Sequence, residues 1–119
     1  MNIEDFRNYC LAKKAVEETF PFDNVTLVFK VMNKVFALTN IEWEDFKVNL
    51  KCDPERAIEL REAHAGGIIP GYHMNKKHWN TVIFEGDLEE RFLCELIDHS
   101  YDLVVTKLKK SDRAFLENL

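Results

Sequence analysis

Apolar residues near the start of the chain recur at helical spacing. Phe6, Cys10, Leu11 and the pair Ala15/Val16 lie along one stripe. Asn2 is placed to cap this helix, and Glu4 and Asp5 fall in its first turn, where the helix dipole favours negative charge. Pro21 biases Phe20 away from the helical region, so the pattern predicts a helix ending near Thr19. The runs VTLVFKV and VFALT are rich in β-branched and aromatic residues and flank Met32-Asn33-Lys34, the pattern of a β-hairpin. The turn lacks glycine, which leaves Asn33 as the residue best suited to a positive φ. In DFKVNLK, Phe46, Val48 and Leu50 alternate with Lys47, Asn49 and Lys51, the period of a strand with one wet face.

The second half opens on Asp53-Pro54-Glu55, a capping aspartate followed by a proline where no amide bond is lost. The helix it starts is expected to run to about His64 and to end at Gly66-Gly67, which can take a left-handed termination. Pro70 and Gly71 break the next stretch. It reads as a short extended piece near Ile68 to Tyr72, a turn around Asn75 to Lys77, and a strand from Trp79 to Phe84. Trp79, heading that strand, is expected to pack against the helix that follows. Asp87 and Glu90 have the spacing of a capping box, and Leu88, Phe92, Leu96 with Leu93, Ile97, Tyr101 make two adjacent apolar rows. Ser100 is expected to kink this helix and Ser111 to cap a short last turn. The order α-βββ-α-ββ-αα predicts an α+β domain with helices packed on a mostly antiparallel sheet of about five strands.

Composition narrows the function classes. The 119 residues, 46% hydrophobic and 31% charged, fit a single globular domain spanning 1–119. A net charge of −5 disfavours a globally basic nucleic-acid binder or a polybasic membrane protein, and leaves room for a local basic patch. Cys10, Cys52 and Cys94 are odd in number and far apart, as expected of reduced thiols in a cytoplasmic protein. No basic-then-apolar signal segment or membrane span is evident, so no membrane partner is expected.

Candidate chemistry is sparse. His73 and His78 lie five apart, without flanking ligands, so no metal site is expected. Cys52 precedes a helix N-terminus, a place that lowers thiol pKa, but has no recognisable histidine partner. Gly66, Gly67 and Gly71 do not form a phosphate-cradling loop. With no catalytic constellation and no cofactor implied, the chain reads as a non-enzyme. One feature stands out: no acid occurs between Glu62 and Glu85, and that stretch carries His64, His73, Lys76, Lys77 and His78 beside Tyr72 and Trp79. Cations interleaved with aromatics can attract phosphate and stack on bases. The blander reading is a basic hairpin turn with its aromatics in the core. A second cluster, Lys107, Lys109, Lys110 and Arg113, fits a helix C-terminus complementing its dipole.

PGYHMNKKHWNTV and SYDLVVTKLKK resemble the two motifs of the MmcQ/YjbR family of small bacterial proteins, and the VTLVFKVMNKVFALT hairpin and DPERAIELRE helix fall in that family's order. The chain departs from the family at Met32-Asn33, where a glycine pair is frequent, and at Lys109, where a proline is frequent. The resemblance implies a secretion-chaperone-like or frataxin-like α+β fold. It also implies DNA as a weak or local partner, through a double-wing arrangement of sheet and loops, and supplies no catalytic residues. Lys76 and Lys77 are then expected on an exposed turn in contact with phosphates, assisted by His73 and His78, with Tyr72 stacking where exposed. The alternative is a protein- or peptide-binding adaptor that uses the sheet face. A third class, an enzyme or small-ligand protein around Cys52 or His73, has less in its favour. Oligomeric state is not legible.

Overall fold

The computed structural model describes residues 1–119. Helix α1 (Ile3–Leu11) is followed by strands β1 (Val16–Thr19), β2 (Thr26–Val31), β3 (Lys34–Asn40) and β4 (Lys47–Lys51). Then come helix α2 (Pro54–Ala63), strands β5 (Ile68–Pro70) and β6 (Trp79–Ile83), and helices α3 (Glu90–Thr106) and α4 (Lys110–Glu117). The strands form one antiparallel sheet of six, in the order β1-β2-β3-β4-β6-β5. The α+β class holds, with one strand more than the sequence pattern predicts.

The extra strand is β1. The apolar stripe extends a helix through Val16, but α1 stops at Leu11, and Ala15 turns the chain with φ 59°. Val16 to Thr19 then pair with Val31 to Val28 of β2. The Arg7 guanidinium on α1 holds both carboxylate oxygens of Glu18 on β1. Backbone pairing and β-branched ends therefore override the local helical spacing.

Other local expectations hold. Asn2 Oδ1 accepts from Asp5 N at 2.8 Å, and the Asp53 carboxylate accepts from Arg56 N at 3.3 Å. Gly66 takes φ 87° after α2. The β2–β3 turn puts both Met32 (φ 47°) and Asn33 (φ 67°) in the left-handed region, as a tight two-residue hairpin turn requires. Three expectations fail. Asp87 does not cap α3, whose N-cap is Glu89 without a side-chain bond. Lys109, not Ser111, precedes α4. Ser100 does not interrupt α3. It lies mid-helix, fully buried, accepts from Lys51 N at 2.8 Å and donates to Phe36 O. The β3–β4 ladder runs only over Ala37–Leu50 and Leu38–Asn49, so the Ser100 hydroxyl bridges the next pair, where the strands have parted.

All helices sit on one face. Phe6 of α1 meets Phe29, Phe46 and Phe84 edge-on at 5.1, 5.7 and 5.5 Å between ring centres. Leu93, Leu96, Ile97 and Val104 of α3 complete the core over Val48, Leu50 and Val82. On α2, the Ala57 carbonyl accepts from the Asn80 side chain, and Arg61 Nε donates to Asn80 Oδ1 at 2.7 Å.

Candidate functional site

Side chains alternate along a strand, so the residues between the core positions face away from the helices. Val28, Leu38, Asn49 and Thr81 are register partners across β2, β3, β4 and β6 and form one row on this open face. Antiparallel order puts the β1–β2 and β3–β4 loops at one end of the sheet and the β5–β6 connection at the other. The latter folds back across the row. Phe22, Trp43 and the Tyr72-His73-Met74 segment thus surround a cleft of about 330 Å³, with Thr26, Leu38, Asn40 and Asn49 also lining it.

The segment from Pro70 to Val82 builds one wall of this cleft, and its residue types have physical reasons. Gly71 donates its N–H to Trp79 O at 3.0 Å, and a Cβ there would lie 2.8 Å from Trp79 Cβ, so only glycine lets the two backbones approach. Thr81 Oγ1 accepts from Tyr72 N at 2.8 Å and donates to Asn49 Oδ1, while Asn49 Nδ2 donates to Tyr72 O at 3.2 Å. Those bonds fix the Tyr72 backbone and leave its ring half exposed, at 49%. His73 has φ 59°, and its ring lies 4.0 Å from that of Tyr72. Asn75 Oδ1 accepts from Lys77 N at 2.9 Å and His78 N at 3.2 Å, closing the turn. The Arg61 guanidinium ties the Lys76 carbonyl back to α2.

The residues singled out from sequence occupy this loop in different states. Lys76 and Lys77 are both exposed, and neither forms a salt bridge. The Lys76 ammonium is bound to Gly71 O at 2.9 Å, however, so Lys77 is the freer cation. Tyr72 and His73 reach the cleft, whereas His78 is half-buried outside its lining and gives its carbonyl to Cys52 N at 2.8 Å. Trp79 corrects an expectation. It shares the open face with Thr81, against the Gly71 loop, rather than packing on α3. The sequence reading missed Phe22, Trp43, Asn40 and Asn49. Phe22 and Trp43 were detectable as large aromatics set among turn-forming and acidic residues, PFDN and IEWED.

Electrostatics separate the two layers. The four helices hold eleven acids and six bases, which accounts for the whole net charge of −5, so strands and loops balance. No Asp, Glu, Lys or Arg lines the cleft. Lys47 lies 5.3 Å over the Trp43 ring and 3.2 Å from Asp45. Lys107 and Lys34 each lie within electrostatic reach of Lys51; partial burial, then these like charges, lower the Lys51 pKa.

The three cysteines are unbridged. Burial pushes the Cys52 thiol up to about 11, the opposite of the lowering expected from a helix N-terminus. No group of three or more His, Cys, Asp or Glu comes together to hold a metal ion, and no helix is long and apolar enough to cross a membrane.

An α+β domain of helices on one face of an antiparallel sheet, with a loop-walled cleft on the other, is the class these features define. The YjbR family model matches residues 11–103, and the chain belongs to that family. It is 34% identical over 119 residues to the uncharacterized protein YjbR of Escherichia coli K12, covering 100% of both chains. It is 38% identical over 111 residues to the uncharacterized protein YbdF of Escherichia coli O157:H7, covering 92% of this chain and 89% of the relative. A crystal structure of a Deinococcus radiodurans protein with a DUF419 domain superposes with a TM-score of 0.90 at 45% identity, over 98% of this chain and 88% of that one.

Proposed function

We propose that this protein is a non-enzymatic DNA-binding module that meets its ligand with the open face of the sheet. The observation that carries the reading is the loop that walls the cleft. The half-exposed Tyr72 ring reaches the cleft on the open face, and the same loop carries the exposed, unpaired Lys77 outside the lining. Exposed aromatics beside cations supply stacking and phosphate attraction together. Lys77 contacts phosphate, Lys76 adds charge from its tethered position, and His73 assists. Few cations serve, so binding is weak, near the non-specific range of ~10⁻⁴ to 10⁻⁶ M.

The test is fluorescence anisotropy of labelled oligonucleotides against salt. Binding is expected at low salt, and replacing both Lys76 and Lys77 by Ala should flatten the slope of log K against log salt by up to about 1.8 for duplex DNA. Absence of binding at low salt, or a double variant that binds as wild type does, overturns the reading. The adaptor reading has one observation in its favour: Phe20, Phe22 and Ile41 are exposed around the same end of the sheet. Capture of an apolar peptide, with no oligonucleotide bound, is its signature.

A further inference from the structure

We infer that the cleft on the open face is a pocket for one unpaired nucleobase, with the phosphate beside that base left outside in solvent. This rests on the nucleic-acid reading and adds to it the form of the ligand.

Size comes first. A volume of about 330 Å³ is at the lower end for a ligand pocket and admits one ring system with part of its sugar, not a stacked pair or a duplex edge. Shape comes next. The walls present the rings of Phe22, Trp43, Tyr72 and His73, and flat faces favour a flat guest. Phe22 is 74% exposed, so its ring has a free face. No Asp, Glu, Lys or Arg lines the cleft, so no fixed charge there offsets a charged group that enters it. A base brings no such charge, and a phosphate does.

Hydrogen-bond polarity then separates a base from an aromatic peptide side chain. Asn40 Oδ1 is occupied by the N–H of Glu42 at 2.8 Å, while Asn40 Nδ2 has no acceptor within the protein. Asn49 Oδ1 accepts from Thr81, and its Nδ2 gives one hydrogen to Tyr72 O. Thr26 Oγ1 is spent on the Asp23 carboxylate at 3.0 Å. The cleft therefore offers amide hydrogens, from Asn40 first. A guest with ring nitrogens and carbonyl oxygens meets them, as a nucleobase edge does. A phenylalanine or leucine side chain would leave them unsatisfied.

The experiment uses the protein's own reporters. Both tryptophans, Trp43 and Trp79, belong to the open face. Replacing Trp79 with Phe leaves Trp43 as the single emitter. Anisotropy of labelled single-stranded and fully paired DNA is read beside Trp43 emission, with AMP and ribose 5-phosphate as small probes. The expected result is saturable quenching of Trp43 by single strands and by AMP, little by duplex, and none by ribose 5-phosphate. Tyr72→Ala should weaken single-strand binding roughly 5- to 100-fold, as loss of a stacking partner does, while Tyr72→Phe keeps it. Folding should survive Tyr72→Ala, because Tyr72 is held by its backbone atoms, and circular dichroism checks this. If single strands bind but Trp43 emission stays flat and Tyr72→Ala binds normally, the pocket is not a base site and the DNA reading stands without it. If duplex binds as well as single strands and quenches equally, the unpaired-base inference fails. If no oligonucleotide binds at low salt while an aromatic peptide quenches Trp43, both fail together.

Discussion

The two faces of this sheet are built from alternate residues of the same strands, yet they are closed by different means. On the helix side, Leu27, Phe29, Val31, Val48 and Val82 meet other apolar side chains, and Phe6 fits among three further phenylalanines. On the open side, Val28, Asn49 and Thr81 are just as deeply buried, but loops cover them, and hydrogen bonds hold Asn49 and Thr81 to the Tyr72 backbone. The covered face gains from the area it removes from water. The open face spends its order on placing a few exposed rings. Stability and binding are thus expected to separate by face, and substitutions can test that separation.

Phe6→Ala should have the largest effect. The side chain is fully buried and has no solvent to relax into, so a cost of about 3–5 kcal/mol is expected in a denaturant titration. An unfolding midpoint unchanged from wild type would show that α1 is not part of the cooperative core.

Ser100→Ala comes next and probes a polar contact inside the apolar layer. Alanine removes both the acceptor for Lys51 N–H and the donor to Phe36 O, at the point where β3 and β4 separate. A buried amide without a partner costs about 1–3 kcal/mol. Hydrogen exchange at the Lys51 amide should rise more than the global stability loss requires. Unchanged exchange would mean that another group satisfies it.

The same serine shows where the sequence was legible and where it was not. Helix starts at Asn2 and Asp53, the Asn33 turn and the β2, β3 and β4 runs depend on neighbours within a few residues, and all could be read. Ser100 looked like a helix breaker because its partners, Phe36 and Lys51, are 64 and 49 residues away. Strand β1 was hidden for a related reason. Its identity comes from pairing with β2 and from Arg7–Glu18, while its own four residues carry a weak pattern. Within the candidate site, Tyr72, His73 and Lys77 were visible because they cluster in sequence. Phe22, Trp43 and Asn40 belong to other loops, and only antiparallel register and the fold-back of the 71–78 segment bring them to the same cleft.

The Arg7–Glu18 pair lies on the helix side at the β1 edge of the sheet and should matter less than either buried residue. The hydrogen bond from the Arg7 guanidinium holds the Glu18 carboxyl below its ordinary value of 4.5. A lowered carboxyl contributes stability that is present above the ordinary value and lost as the pH falls through the folded one. Wild type and Arg7→Ala should therefore differ at neutral pH and converge as the pH falls below the ordinary carboxyl value of 4.5 and through the lower folded one. Thermal melting across that range checks it, and curves that stay parallel down to pH 2 would rule the pair out as a contributor.

Phe22→Ala should disturb the fold least. Phe22 lies in the β1–β2 loop, 74% exposed, and is not among the residues packed on the core. The loop keeps its own anchors, since Asp23 accepts from Val25 N and Thr26 N at 2.9 and 2.7 Å. Those bonds hold the Asp23 carboxyl low and do not involve the ring. The expected change in stability is within about 0.5 kcal/mol, as for other exposed substitutions. An exposed phenylalanine held at the mouth of a cleft contributes little to folding, so its cost should appear in binding instead. A variant that melts like wild type and loses affinity for the ligand of the open face would place function on that face alone. A fall of 2 kcal/mol or more would mean the ring packs in solution, and the two faces would then share the core.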